Sequence, residues 1–263
     1  MKQLTAEQIQ GNWNKFLSII DTHISEPRRS KLKAFYEQYA ERIMFMPASH
    51  KKEYHNAFPG GYVDHVLRVI ECTEKLYESW SEMGADMSGY TIEELRFAAM
   101  HHDLGKCGFP GKGREVYQVE TSDWHRKNQG KIFKYNPELQ YMSVTDRSVF
   151  LLNHFGISMS QWEYVGLRLT DGMYEEANKA YYIAYQPERQ LRSNIAYILH
   201  QADMMAARSE FEIEWLPKLL GPRVEKPTKE TNFKLNKNAN PVIKQKALKK
   251  LSNPGLADLM KNI

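Results

Sequence analysis

Apolar residues recur every three or four positions through most of this chain, and clusters of Gly, Pro, Asn and Ser separate the stripes. That period predicts amphipathic helices and an all-α protein. Ile9, Trp13, Phe16, Ile19 and Ile20 make the first stripe, on a helix from Thr5 to about Ile24. Thr5 and Gln8, three residues apart, complete a capping box. A second helix is expected from about Glu26 to Met44, with Pro27 in its first turn, and Pro47 ends the region. Asn56 to Gly61 is a turn-rich approach to a helix that carries His65 and runs to about Met83, where Gly84 closes it. Thr91 caps the next helix with Glu94 at its third position, and Phe97, Ala98 and Met100 supply its apolar face.

The period fails between residues 107 and 141, where Gly108, Pro110, Gly111 and Gly113 cluster. A small β-hairpin insertion is predicted there, with a turn around Asn128-Gln129-Gly130. Helices resume from Thr145 to Phe155, and again from Ser158 or Ser160 to about Thr170. Arg189 to Leu216 reads as one long helix with Leu191, Ile195, Ile198, Leu199 and Ala202 inward, and Pro217 and Pro222 mark its exit. The chain then divides into an N-terminal helical pair packed on the core (1–46), a main helical bundle (47–220) and a basic extended tail (221–263).

At 263 residues with 42% apolar content, the chain can form one large domain or a domain with an appendage. No apolar run reaches bilayer length, and Met1 to Glu7 lacks the apolar core of a signal peptide. Cys72 and Cys107 are too few for a disulfide framework and are expected as reduced thiols. These features predict a cytoplasmic protein with no membrane association. The net charge of +4 is uneven: Gly221 to Ile263 carries ten Lys/Arg against three Asp/Glu, a net of +7, and the body carries −3. The tail is therefore expected to meet an acidic partner, either nucleic acid or an acidic protein.

The segment Ala98-Ala99-Met100-His101-His102-Asp103-Leu104-Gly105-Lys106 concentrates the chemistry. A neutral imidazole and a carboxylate on neighbouring residues can hold one divalent cation. Leu104-Gly105 lets the chain leave the helix, and Lys106 places a cation where a phosphate would sit. Gly60-Gly61-Tyr62-Val63-Asp64-His65 lies upstream, and His200-Gln201-Ala202-Asp203 lies downstream. Asp203 falls beside the apolar face of its helix, where an unpaired carboxylate is costly and a cation would satisfy it.

This order of His, His-Asp and Asp on separate helices resembles the HD-domain superfamily of metal-dependent phosphohydrolases. Tyr54 to His65 is similar to the HD module of bacterial 3′–5′ exoribonucleases, and the likeness spans roughly residues 40 to 215. The resemblance implies an HD-domain helical bundle whose metal ligands are His65, His102, Asp103 and Asp203. The ion would be divalent: Mn, Mg, Fe, Ni, Co or Zn. It implies metal-assisted phosphoester hydrolysis, with Asp103 or a nearby carboxylate taking the water's proton and Lys106 facing the phosphate. Dinuclear relatives carry two further histidines, and this chain has Asp146 and Asp171 in their neighbourhood. Two readings follow: a second oxygen-preferring ion near Asp146 and Asp171, or a mononuclear site.

Trp124-His125-Arg126-Lys127, with Lys131, Phe133, Lys134 and Tyr135, forms a basic-aromatic segment suited to phosphates and stacked bases. His125 is a candidate general acid or substrate contact, and Arg126, Lys127, Lys131 and Asp171 are candidate substrate contacts. His101, His154 and His200 read as structural. The expected activity is hydrolysis of a nucleotide phosphoester. The alternatives are a 3′–5′ exonuclease, a di-iron oxygenase (which would need the two absent histidines), and a non-catalytic nucleotide-binding protein. The composition and the compact HD-like region also resemble phage-encoded proteins of nucleotide metabolism.

Overall fold

The computed structural model describes residues 4–51, 54–214 and 216–220. The basic tail lies outside the described residues. Helices dominate: α1 (Ala6–His23), α2 (Arg28–Gln38), α3 (Ala40–Phe45), α4 (Gly61–Glu82), α5 (Ile92–His101), α6 (Asp123–Gln129), α7 (Val144–His154), α8 (Gln161–Arg168), α9 (Lys179–Tyr182), α10 (Ile195–Glu214) and α11 (Leu216–Leu220). The described β-structure is one antiparallel pair, β1 (Tyr117–Val119) and β2 (Phe133–Tyr135), with Tyr117 opposite Tyr135. No helix among the described residues is long and apolar enough to cross a membrane.

Side-chain caps set several helix starts. Thr5 with Gln8, Thr91 with Glu94, and Ser160 with Glu163 each form both halves of a capping box. Each satisfies two backbone or side-chain groups that the first turn would otherwise leave open.

Helix α4 is the axis of the bundle and packs against α10 and α5, while α8 closes on α5 and α10. The main core runs through Phe16, Ile20, Tyr36, Tyr62, Val66, Phe97, Met100 and Leu199. Helices α1 and α2 thus share one core with the site-bearing helices. Arg28 reinforces this junction. It pairs with Glu93 and Glu163 and lies 4.2 Å above the Phe97 ring.

Three expectations change. The second predicted helix is broken at Tyr39 into α2 and α3, because Phe35, Tyr36, Tyr39 and Ile43 must all reach the core. The small sheet exists, but Asn128-Gln129-Gly130 is not its turn. Ser122 caps a short helix there, and left-handed Gly130 (φ 61°) ends it. The long last helix begins at Ile195 rather than Arg189, and Pro187 to Arg189 form an isolated turn of their own. Cys72 and Cys107 are both free and buried.

Candidate metal centre

Helix α4 delivers His65, and its start is fixed by the loop before it. A Cβ on Gly61 would sit 2.1 Å from the carbonyl oxygen of Asn56, so only glycine allows the loop to close on the helix. Asn56 takes a left-handed conformation (φ 49°), and its amide donates to Gly61 O and to Asp64 Oδ2. The same loop sets the His55 ring 4.6 Å from the His65 ring.

Helix α5 ends at His101, and the next two residues supply His102 and Asp103 before a tight 3-10 turn, Leu104–Cys107. Gly105 is more than a helix exit. A Cβ there would lie 2.0 Å from Val144 O, so its bare backbone lets α7 press against the turn. Ser148 Oγ accepts from Gly105 N at 2.7 Å, and buried Arg147 donates to Gly105 O at 3.0 Å and Met142 O at 2.8 Å. The backbone carrying Asp103 is thereby held from α7. Helix α10 supplies Asp203 and, two turns later on the same face, buried Glu210.

These residues converge. His65 Nε2 lies 3.2 Å from Asp203 Oδ1 and 3.7 Å from Asp103 Oδ2. His102 Nε2 lies 3.5 Å from Asp103 Oδ2 and 3.8 Å from Asp203 Oδ1. Donor atoms bound at about 2.0–2.2 Å to one ion stand roughly 3–3.6 Å apart, close to this spacing. The other ring nitrogens are occupied. His102 Nδ1 donates to Ala99 O at 2.8 Å, and His65 Nδ1 lies 3.1 and 3.3 Å from the two Glu210 oxygens. Arg68 is ion-paired with Glu210, its Nε 3.2 Å from Oε1. Both Nε2 atoms are buried and have no hydrogen-bond partner. Buried orphaned acceptors aimed at two carboxylates call for a proton or a cation. The donor set therefore fits a divalent ion. His65, His102 and Asp203 each bring one ligand atom within 4.8 Å of the others, and so do His55, His65 and Glu210.

The charges are strongly coupled. Burial alone would depress His65, but the carboxylates of Glu210 and Asp203 outweigh it and raise its pKa to about 10. His102 is also depressed by burial and raised on balance by Asp103. Burial would raise both aspartates, yet Lys106 and His102 hold Asp103 well below the carboxylate range, and His65 and His102 bring Asp203 to about 2. Lys106 donates to Asp103 Oδ2, and Asp103 raises the lysine pKa against the opposing effect of burial.

Asp171 borders this cluster, as its hydrogen bond with Thr145 Oγ1 at 3.0 Å and its electrostatic coupling to Asp103 and Asp203 show. Burial raises its pKa, and Asp103 adds to the effect. Asp146 is exposed in the first turn of α7, and Thr145 takes the inward position. Within the basic-aromatic segment, Phe133 and Lys134 line a cleft that also contains Lys106. His125 faces Glu120 at 3.5 Å, Arg126 faces Asp123 at 3.9 Å, and Lys127 is exposed. Lys131 and Arg126 line a further hollow of about 470 Å³ with Leu4 and Pro59.

Glu210 has no counterpart among the sequence expectations. Its spacing from Asp203 was the available signal, because seven residues on a helix return to one face. His101 is a core residue. Its Nδ1 donates to Phe97 O at 2.6 Å, and its ring packs 4.3 Å from Phe97. No protein-family model, curated protein or solved structure matches this chain.

Proposed function

We propose that this protein is a divalent-metal-dependent phosphohydrolase of the HD type, acting on a nucleotide phosphoester. The observation that carries the reading is the convergence of two orphaned, buried imidazole nitrogens on Asp103 and Asp203, with Lys106 against one of those carboxylates. His65, His102, Asp103 and Asp203 would hold the ion, which when bound supplies Lewis acidity toward a phosphoryl oxygen and toward water.

The chain's own residues supply the rest. Glu210 and Ala99 O each fix a ring nitrogen and so turn Nε2 of His65 and His102 inward. Lys106 carries positive charge beside the carboxylates, where it offsets charge building on a phosphate in the transition state. Asp171 has a raised pKa and a partly exposed side chain, which suits it to accept a proton from water near the cluster.

The test pairs metal analysis with hydrolysis. Mn²⁺ titrated into metal-free protein should bind and switch on release of phosphate or nucleoside from nucleotides. Asp203→Asn should abolish both effects while keeping the helical circular dichroism of the parent. Hydrolysis undiminished in metal-free Asp203→Asn protein would refute the reading.

A further inference from the structure

His65 presents its two ring nitrogens to two different sets of side chains. Nε2 faces Asp103 and Asp203 in the metal centre. Nδ1 faces Glu210, whose two oxygens lie 3.1 and 3.3 Å away. A residue that the metal centre does not use stands on that second side. The His55 ring is 4.6 Å from the His65 ring, and its Nε2 is buried with no hydrogen-bond partner among the described residues. His55, His65 and Glu210 each bring one ligand atom within 4.8 Å of the other two.

The three side chains come from separate elements: the loop before α4, α4 itself and α10. The His65–Glu210 spacing serves either a shared proton or an ion bound to both, since donors about 2.0–2.2 Å from one ion stand roughly 3–3.6 Å apart. The orphaned nitrogen of His55 favours the ion. A proton held between His65 and Glu210 does nothing for it, and a buried polar atom without a partner is costly. Arg68 Nε stands 3.2 Å from Oε1 of Glu210, which leaves Oε2, the oxygen nearer to His65, for the ion. Solvent reaches the place, because His55 is half-buried and lines a cleft of about 450 Å³ with Asp171 and Asp203. Two imidazoles and one carboxylate are a set that zinc accepts, with a fourth position left for water.

We propose that His55, His65 and Glu210 form a second metal site, suited to zinc, with the His65 ring bridging it to the ion of the first. The site is separate from the neighbourhood of Asp146 and Asp171. It shares His65 with the metal centre and does not rest on the hydrolytic reading. With only the first ion bound, His65 keeps its Nδ1 proton against Glu210. The second ion takes the place of that proton, which leaves to solvent. The ring then carries negative charge between two cations and offsets their repulsion.

The experiment loads the metal-free full chain with Zn²⁺, removes loose metal by gel filtration and counts the zinc retained by elemental analysis. Two ions per chain are expected. His55→Gln should lose one of them and keep the other. The double variant Asp103→Asn, Asp203→Asn should keep the ion at His55 and lose the one in the first site. Circular dichroism checks that both variants fold. Anomalous diffraction at the zinc edge reads the unmodified chain directly, and a peak between His55, His65 and Glu210 is expected. Absence of that peak would overturn the proposal even if His55→Gln failed to fold. A single zinc that survives His55→Gln and is lost in the aspartate variant would overturn the second site and leave the first standing. A single zinc with the opposite behaviour would support the second site and overturn the ligand set of the first. Zinc retained in full by both variants would overturn both.

Discussion

Glu210→Gln is the most direct probe of how the site is held together. Glu210 is buried, its two carboxylate oxygens lie 3.1 and 3.3 Å from His65 Nδ1, and it is ion-paired with Arg68 at 3.2 Å. Glutamine has nearly the same shape but only one acceptor oxygen. If that oxygen faces His65, the amide NH₂ is pushed toward Arg68; if it faces Arg68, the NH₂ meets the histidine N–H. Either way an amide N–H faces a donor or a cation, and the negative charge that supports His65 and pairs with Arg68 is gone. Carboxylates that orient a ligating histidine are typically worth about 10–100-fold in metal affinity, or roughly 1.4–2.7 kcal/mol. Calorimetric titration of metal-free protein with Mn²⁺ should therefore give a Kd weaker by that factor. Glu210→Asp should weaken it too, because the shortened side chain cannot span both partners. Circular dichroism guards against simple unfolding. A Kd within twofold of the parent in a folded Glu210→Gln protein would refute the idea that Glu210 orients His65.

Four further outcomes follow from the charges and packing of the chain. Without an ion, His65 (raised to about 10) holds a proton near neutrality, and His102 is shifted in the same direction, so Mn²⁺ must displace the His65 proton. Its affinity should rise with pH until about 10, and binding heats that do not vary with buffer ionisation enthalpy would count against this. In metal-free protein the charge on His65 adds stability that is full below its ordinary 6.5 and lost as pH rises through about 10. Gly105→Ala forces a Cβ to within 2.0 Å of Val144 O, a backbone atom that cannot step aside. A loss of about 1–3 kcal/mol is expected, read as a Tm lower by about 2–4 °C per kcal/mol, and an unchanged Tm would show that α7 does not press on the turn. Truncation after Leu220 removes a net charge of +7; it should weaken binding to single-stranded oligonucleotides while hydrolysis of the smallest substrate persists, and equal binding at every salt concentration would exclude the tail from that role.

Much of the scaffold was readable because local signals carried it. The Thr5/Gln8, Thr91/Glu94 and Ser160/Glu163 pairs each mark a helix start that the structure keeps. The four residues His65, His102, Asp103 and Asp203 stood out by type and order, and the structure brings them together. What escaped depended on tertiary packing. Glu210 reads in one dimension as a charge on a solvated helix, and only the approach of α4 buries it. Thr145 and Asp146 differ by one residue, about 100° of helix rotation, which is finer than an alignment of patterns can fix. Tyr39 breaks the second helix because its ring packs with Phe35 and Phe155, a contact between distant segments. Ser122 to Gly130 became a helix because a serine cap and a left-handed glycine bracket seven residues, and its aromatic and basic content masked that frame.

The cluster draws its atoms from positions 65, 102–103 and 203, with the brace at 210, so no short stretch of chain contains it. An ion held there would work as a non-covalent cross-link that closes two long loops at once. An unfolded chain offers no such constellation, so the ion's binding energy would be spent almost wholly on the folded state. The loop-closure entropy that nonlocal helix pairing must overcome is the quantity such a cross-link offsets. Metal supply would then set how long α4, α5 and α10 stay assembled, and chelation would act on the lifetime of the protein as well as on its chemistry.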